Sequence, residues 1–157
     1  MTSGTRFGAN APRLVLGLRG LGAAGLLVEG AVHVQQYFQL FSGVTWIGPL
    51  FILNAVGCAV AAAGLAVRRT ASLAAVLGLV ISVAALAALE KSFHGGVLGW
   101  VESTMRPAIW VAIVSEAVAT VALGGLLLLA LAPRARFARR APSGRGTVSP
   151  GAARAAH

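Results

Sequence analysis

Four glutamates are the only acidic residues in this 157-residue chain, and two of them lie four positions before a histidine. Glu29 precedes His33 in the first pair, and Glu90 precedes His94 in the second. A spacing of four places both members of a pair on the same face of a helix. Carboxylate and imidazole groups bind transition metals, transfer protons and hydrogen-bond to one another. Each pair is therefore a candidate part of a ligand-binding or metal-binding site.

Three further polar residues fall at positions that extend these pairs. Tyr37 lies one helical turn beyond His33. Asn54 follows His33 by 21 positions, and Glu116 follows His94 by 22 positions. The candidate ligand- or metal-binding residues are Glu29, His33, Tyr37, Asn54, Glu90, His94 and Glu116.

The composition of the chain places these residues in a membrane protein. Hydrophobic residues make up 57% of the chain and charged residues 11%, and the mean hydropathy is +0.83. An ordinary soluble domain is about 45–50% apolar and about 25% charged. The excess of apolar residues excludes a soluble enzyme domain and a disordered chain. The single cysteine, Cys58, excludes a module held by internal disulfides.

Four apolar stretches each approach the ~20 residues that a helix needs to cross a ~30 Å hydrocarbon core. Backbone groups in lipid must be satisfied within the segment, so each stretch is predicted to be a helix. Pro107 suits the first turn of the fourth helix, and Pro133 suits its end. The predicted fold is all-α, an integral membrane four-helix up-down bundle over residues 14–132. Its helices are expected at about 14–37, 47–67, 71–89 and 108–132.

The basic residues predict the orientation of this bundle. Eleven of the 13 lie before residue 20, at Arg68 and Arg69, or after residue 133. The positive-inside rule therefore places both termini and the 68–70 turn in the cytoplasm, and the protein in the cell membrane as a multi-pass protein. Such a distribution argues against nucleic acid as a partner.

The two ends of the chain are predicted to be tails outside the bundle. Residues 1–13 form a cytoplasmic N-terminal tail, and residues 133–157 form a basic, disordered cytoplasmic tail. Positive charge holds the second tail near anionic lipid headgroups. The arginines expected at the membrane surface are Arg134, Arg136, Arg139 and Arg140.

The connection between the third and fourth helices, residues 91–106, is longer than a tight turn requires. It mixes glycines with apolar and aromatic residues, which suits a short interfacial segment on the outer side. Two forms are open: an amphipathic helix on the membrane surface, or a flap over the mouth of the bundle. Glu102 lies in this segment and is expected to be solvated.

Small residues four positions apart predict where the helices approach one another closely. Such pairs occur in each of the first three helices. They are Gly20 and Ala24, Gly57 and Ala61, and Ala74 and Gly78.

Depth places the polar candidates in the outer half of the bundle. At a rise of ~1.5 Å per residue, Glu29 lies ~12 Å below Tyr37, and Glu116 lies ~13 Å below Pro107. We call this set the polar cup, formed by Glu29, His33, Asn54, Glu90 and Glu116. It can be a hydrogen-bond network that sets helix register, a pocket for a small apolar ligand, or a transition-metal site. Haem held between His33 and His94, and proton-coupled transport, are further alternatives.

The interpretation that we place first is a non-enzymatic multi-pass membrane protein. Its polar cup binds a small ligand or a metal ion, or serves as an interaction module with a second copy or other membrane subunits. The alternatives are a haem- or metal-dependent membrane redox protein and a subunit of a proton-coupled transporter. The sequence contains no nucleotide-binding glycine loop, zinc-type cysteine pair or Ser/His/Asp arrangement.

Two stretches carry a resemblance to a known group of proteins. They are Gly-Ala-Val-His-Val-Gln-Gln-Tyr-Phe at 30–38 and Ile-Gly-Pro-Leu-Phe-Ile-Leu-Asn-Ala-Val-Gly at 47–57. Together they resemble a family of small four-helix integral membrane proteins of high-GC Gram-positive bacteria. The resemblance implies that His33, Tyr37 and Asn54 form a recurring unit, and it implies no activity. In size and topology the chain is also similar to DoxX-like proteins.

Overall fold

The computed structural model describes residues 6–138, and its side chains from residue 12 to residue 132. This part of the chain is helical, with α1 at Arg6–Gln36, α2 at Ile47–Ala66, α3 at Ala71–His94 and α4 at Pro107–Ala138. A π-helical turn, Tyr37–Phe41, continues α1. Four helical stretches are long and apolar enough to cross a membrane, at Pro12–Phe41, Ile47–Ala66, Ala71–His94 and Pro107–Ala132. The prediction of four apolar helices long enough to span a membrane is confirmed.

The helix ends differ from the predicted bounds in three places. The first helix begins at Arg6, so most of the predicted tail 1–13 is helical, and residues 1–5 lie outside the described part. The third helix extends to His94. The fourth passes through Pro133 to Ala138. An interior proline removes a backbone bond and crowds the preceding turn, at a cost of about 3 kcal/mol, but the alanines, leucines and arginines around it are strong helix formers. Arg134 and Arg136 are therefore helical, whereas Arg139, Arg140 and the rest of residues 139–157 lie beyond the described residues.

The helices pack side by side around one small core. Helix α1 packs against α2 and α4, and α3 packs against the same two helices. The core consists of a few leucines surrounded by alanines, so the helix axes can approach closely. Leu16, Leu73 and Val121 point outward and are 71%, 74% and 74% exposed. Large apolar side chains on the outside and small ones inside are the arrangement that suits lipid contact.

An arginine on α1 joins the first two helices at the end opposite the π-helical turn. Arg19 donates hydrogen bonds from Nε, at 2.8 Å, and from Nη2 to the backbone oxygen of Leu65. Leu65 lies in the last turn of α2, where carbonyl groups have no partner within the helix. The guanidinium therefore satisfies a helix C-terminus inside the bundle and holds α1 against α2.

The connection between α3 and α4 is a folded loop and contains no helix. Val97 and Trp100 pair through backbone hydrogen bonds of 2.8 and 2.9 Å. Gly96, Leu98 and Gly99 have φ angles of 83°, 49° and 83°. Three residues with positive φ interrupt any right-handed helix, so the expected amphipathic helix is wrong. The Trp100 ring lies 4.9 Å from the Phe41 ring, so the loop covers the end of the bundle, as the flap alternative requires.

The predicted close-contact pairs are correct on α3 and misplaced on α1. Ala74 and Gly78 are both buried. Gly20 and Ala24 are both exposed. The close approach of α1 uses Gly25 instead, against the backbone of α4.

Replacing Gly25 with alanine should destabilise the bundle, whereas the same change at Gly20 should not. A Cβ at Gly25 would lie 3.0 Å from the backbone oxygen of Ser115 and 3.1 Å from two atoms of Ala119. These atoms cannot rotate away, so α1 and α4 must separate, at a cost of about 1–3 kcal/mol. At Gly20, no atom of the described residues lies within 4 Å of such a Cβ. There alanine should stabilise the helix by roughly 0.5–1 kcal/mol.

Thermal unfolding of the two variants in detergent measures this difference. Equal melting temperatures for Gly25→Ala and Gly20→Ala would contradict the close contact between α1 and α4.

Candidate functional site

Glu29 lies in the centre of the bundle and is completely buried. Its carboxylate is held by two neighbouring helices. Ser82 on α3 donates its hydroxyl to Oε2 at 2.6 Å, and Asn54 on α2 donates its amide to Oε1 at 3.3 Å. The Cys58 thiol in turn donates to Asn54 Oδ1 at 3.3 Å. These bonds fix the position of the carboxylate and orient the amide of Asn54.

His33 lies one turn beyond Glu29 on α1. Its Nδ1 is 2.9 Å from the backbone oxygen of Glu29. A carbonyl oxygen only accepts, so Nδ1 carries the hydrogen, and the neutral imidazole keeps its lone pair on Nε2. The ring packs at 4.9 Å against Phe51. The local helix geometry thus holds the imidazole with one nitrogen available to a ligand.

Glu116 approaches from α4 and is 2% exposed. Within the described residues its Oε2 is buried and accepts no hydrogen bond. Ligand atoms of Glu29, His33 and Glu116 all lie within 4.8 Å of one another. We call these three residues the Glu–His–Glu cluster. Burying a carboxylate oxygen without a hydrogen-bond partner costs free energy. A ligand or ion that contacts Glu116 would therefore stabilise the cluster.

A cavity of about 600 Å³ extends from this cluster towards the flap. Most of its wall is apolar and comes from α2, α3 and α4. His33, Asn54 and Glu116 contribute polar groups to its lining. Arg106 and Trp100 line it as well. The cavity is therefore a mainly apolar space with a few polar groups on its wall.

A hydrogen-bonded group from the flap and α1 forms part of the cavity wall. Arg106 donates from Nη1 to Gln36 Oε1 at 2.8 Å and from Nη2 to Glu102 Oε2 at 2.6 Å. The backbone nitrogen of Glu102 donates to the backbone oxygen of Ser92 at 3.1 Å. Glu102 is only 9% exposed, so the expectation that it is solvated is wrong. The flap folds back onto α3, which brings Glu102 inside and next to Arg106.

The structure brings four of the five residues of the polar cup together and leaves one outside. Glu29, His33, Asn54 and Glu116 meet as described above. Glu90 pairs with His94 at 3.2 Å, and their side chains are 75% and 73% exposed. A four-residue spacing shows that two side chains share a helix face, and it does not show which face points inward. On α3 the inward face carries Gly78, Ser82 and Ser92.

The positions of His94 and Tyr37 decide two further expectations, haem binding between two histidines and a role for Tyr37 in the site. His33 faces the interior cavity while His94 is on the exterior, so the described structure does not bring the two imidazoles to one haem. Tyr37 lies in the π-helical turn, where its ring packs edge-on against Phe38 at 5.1 Å. It is not among the residues that line the cavity.

Several residues of the site were not predicted. Ser82 had a signal, because it is the one polar residue within the third apolar span, between positions 73 and 89. Cys58 lies one turn from Asn54 and could have been placed beside it. Gln36, Trp100 and Arg106 had none, since their contacts depend on how the flap folds.

Comparison of the chain with protein-family models, with curated proteins and with solved structures finds no match in any of the three. The resemblance over residues 30–57 stays a prediction.

The two buried carboxylates should be energetically coupled. Glu29→Gln and Glu116→Gln should each change the free energy of unfolding in detergent. Because the side chains approach within 4.8 Å, both changes act on one shared environment. The double variant should therefore differ from the sum of the single variants by about 0.5–3 kcal/mol.

Glu90→Gln is the matched control for this cycle, because its side chain is 75% exposed. It should change the free energy of unfolding by less than about 0.5 kcal/mol and should add to either buried change. Strict additivity of Glu29→Gln and Glu116→Gln would show that the cluster does not act as a unit.

Proposed function

We propose that the protein is a multi-pass cell-membrane protein that binds a small, mostly apolar molecule in the cavity between its helices. The observation that carries this proposal is the cavity itself. Its volume of about 600 Å³ falls within the roughly 300–1,000 Å³ of typical ligand sites. Apolar walls with a few convergent polar groups are the usual composition of such sites.

One polar group beside the cavity indicates the chemistry of the ligand. Trp100 lines the cavity, and its Nε1 has no hydrogen-bond partner in the described part of the chain. This atom is buried, so the indole has to rotate for its N–H to reach a bound molecule. Buried indole N–H groups usually donate to an oxygen. The ligand therefore carries a hydrogen-bond acceptor, such as a carbonyl or hydroxyl oxygen, on an otherwise apolar body. Apolar contact supplies most of the affinity, and the indole supplies orientation.

The charge distribution supports an orientation for the bundle. We place both termini and the Val67–Thr70 turn in the cytoplasm and the flap on the outer side, with helices that alternate in direction. Basic residues are concentrated at the proposed cytoplasmic ends. Exposed leucines and valines around the bundle make the lipid bilayer its main partner. The helical arginines Arg134 and Arg136 would lie near anionic headgroups.

Ligand binding can be tested with two probes of the same shape. 2-Acetylanthracene has a carbonyl oxygen and 2-ethylanthracene has none. Both should bind the purified protein saturably, as measured by probe fluorescence. Ala112 is buried and lines the cavity, so Ala112→Trp should fill it and weaken both probes at least about tenfold, or ~1.4 kcal/mol. Trp100→Phe should remove about 0.5–1.5 kcal/mol from the acetyl probe alone.

Ala117→Trp is the matched control, because Ala117 is an exposed residue of the same helix. It adds the same indole without filling the cavity. If Ala112→Trp and Ala117→Trp bind both probes as the unmodified protein does, the cavity is not a ligand site.

The orientation can be tested by cysteine labelling in intact cells. Single cysteines at Ser42 and Ser103 should react with a membrane-impermeant reagent, whereas cysteines at Thr70 and Ser143 should not. Ser42, Thr70 and Ser103 are exposed, and Ser143 lies outside the described residues. The native Cys58 is buried and serves as the unlabelled background. The opposite labelling pattern would overturn the orientation.

Gly96 is a poor labelling position, although it lies in the same loop as Ser103. Its φ of 83° strains any other residue. A Cβ there would also lie 3.0 Å from the backbone oxygen of Trp100.

A further inference from the structure

We infer that Glu29, His33 and Glu116 together bind one divalent transition-metal ion of the zinc class. The three side chains come from α1 and α4, and their ligand atoms lie within 4.8 Å of one another. Ligands at ~2.0–2.2 Å from one tetrahedral ion are separated from one another by about 3.3–3.6 Å. Side-chain rotations that shorten the longest separation by up to about 1.5 Å would therefore bring all three onto one ion. This inference does not depend on what occupies the cavity.

The negative charge of the site favours a metal ion. Two carboxylates meet in the interior of a membrane-spanning bundle. The described residues place no arginine or lysine within ion-pair distance of either one. Glu29 is held by Asn54 and Ser82, but Glu116 is 2% exposed and its Oε2 has no donor in this part of the chain. A divalent ion between the carboxylates would offset both charges and supply the partner that Glu116 lacks.

The tautomer of His33 suits metal binding. The hydrogen bond from His33 Nδ1 to the backbone oxygen of Glu29 sets the tautomer that leaves Nε2 free. Histidines that bind metals almost always donate their other ring nitrogen to such an acceptor. His94 makes the same kind of bond to the backbone oxygen of Glu90 at 3.0 Å, so the feature that distinguishes His33 is the pair of buried carboxylates beside it.

The hydrogen bonds to Glu29 orient its carboxylate as a metal ligand. Each carboxylate oxygen has two lone-pair sites, so the bonds from Asn54 and Ser82 leave capacity for an ion. Ligating carboxylates are commonly hydrogen-bonded by neighbouring residues that orient them. Asn54 is itself oriented by the Cys58 thiol. The thiol is therefore engaged as a donor and supports the site without ligating.

The donor set indicates the class of ion. One imidazole nitrogen and two carboxylate oxygens suit Zn²⁺, Fe²⁺ or Mn²⁺ better than a soft ion such as Cu⁺. Three protein ligands leave at least one coordination position open, as in metal sites that bind a further molecule. His33 and Glu116 both line the cavity, so the open position would face it. An oxygen of a bound molecule could occupy that position.

Equilibrium dialysis of the purified full-length protein against Zn²⁺, followed by metal analysis, tests the inference. We expect about one ion per chain. His33→Gln and Glu116→Gln should each weaken binding at least about 100-fold, because they remove a ligand. Ser82→Ala should weaken it about 10- to 100-fold, which is the usual effect of losing a group that orients a ligand. Glu116→Gln preserves the shape of the side chain and should leave the protein folded.

The chain contains its own matched control. Glu90 and His94 have the same spacing as Glu29 and His33, but their side chains are exposed and the described residues bring no third ligand to them. The double variant Glu90→Gln/His94→Gln should bind Zn²⁺ as the unmodified protein does. Co²⁺ provides a second readout, because its visible spectrum reports the number of ligands. The spectrum should change in Glu116→Gln and should stay the same in Glu90→Gln/His94→Gln.

Two results would overturn the inference. One is an unmodified protein that retains no more Zn²⁺ than Glu116→Gln, in which case the carboxylates share a proton instead. The other is loss of binding in Glu90→Gln/His94→Gln, which would place the ion on the exterior. Neither result predicts a loss of 2-ethylanthracene binding, because that probe has no oxygen to reach the ion. Failure of the metal site and failure of the ligand cavity can therefore be distinguished with this probe.

Discussion

The structure depends on the burial of one carboxylate, Glu29, among four apolar helices. Glu29 is completely buried, so neither bulk water nor lipid can hydrogen-bond to it and the protein has to supply its partners. Ser82 and Asn54 meet this requirement from two other helices. If α1, α2 or α3 rotated about its axis, or shifted along it by one helical turn, these groups would no longer meet. The hydrogen bonds therefore select one register for the helices, which apolar contact alone would leave poorly defined.

The same constraint explains features far from Glu29. Arg19 satisfies the C-terminal carbonyl of Leu65 inside the bundle, and Arg106 is held by Gln36 and Glu102 at the flap. Between these two ends, alanines and glycines let the helices approach closely, so the core itself needs few large side chains. The large apolar residues are left on the outer surface, an arrangement that suits contact with lipid.

The cavity and the Glu–His–Glu cluster belong to one continuous site. His33 and Glu116 of the cluster belong to the wall, and the flap covers the cavity through the contact of Trp100 with Phe41. Glu116 connects the two parts, because it belongs to the cluster and also lines the cavity. A small molecule in this site would have apolar surroundings and a charged group within reach.

The sequence by itself determined the four apolar helices and their approximate bounds, because the length of an apolar stretch depends only on local composition. It also identified Glu29, His33, Asn54 and Glu116, since ionisable and amide groups are conspicuous in such stretches. It could not separate the pair Glu29–His33 from the identical spacing at Glu90–His94. Spacing reports a shared helix face, and only the packing of α3 decided that Ser82 points inward while Glu90 points out. The tertiary structure likewise decided the burial of Glu102, because its partner Arg106 reaches it only when the flap folds back onto the bundle.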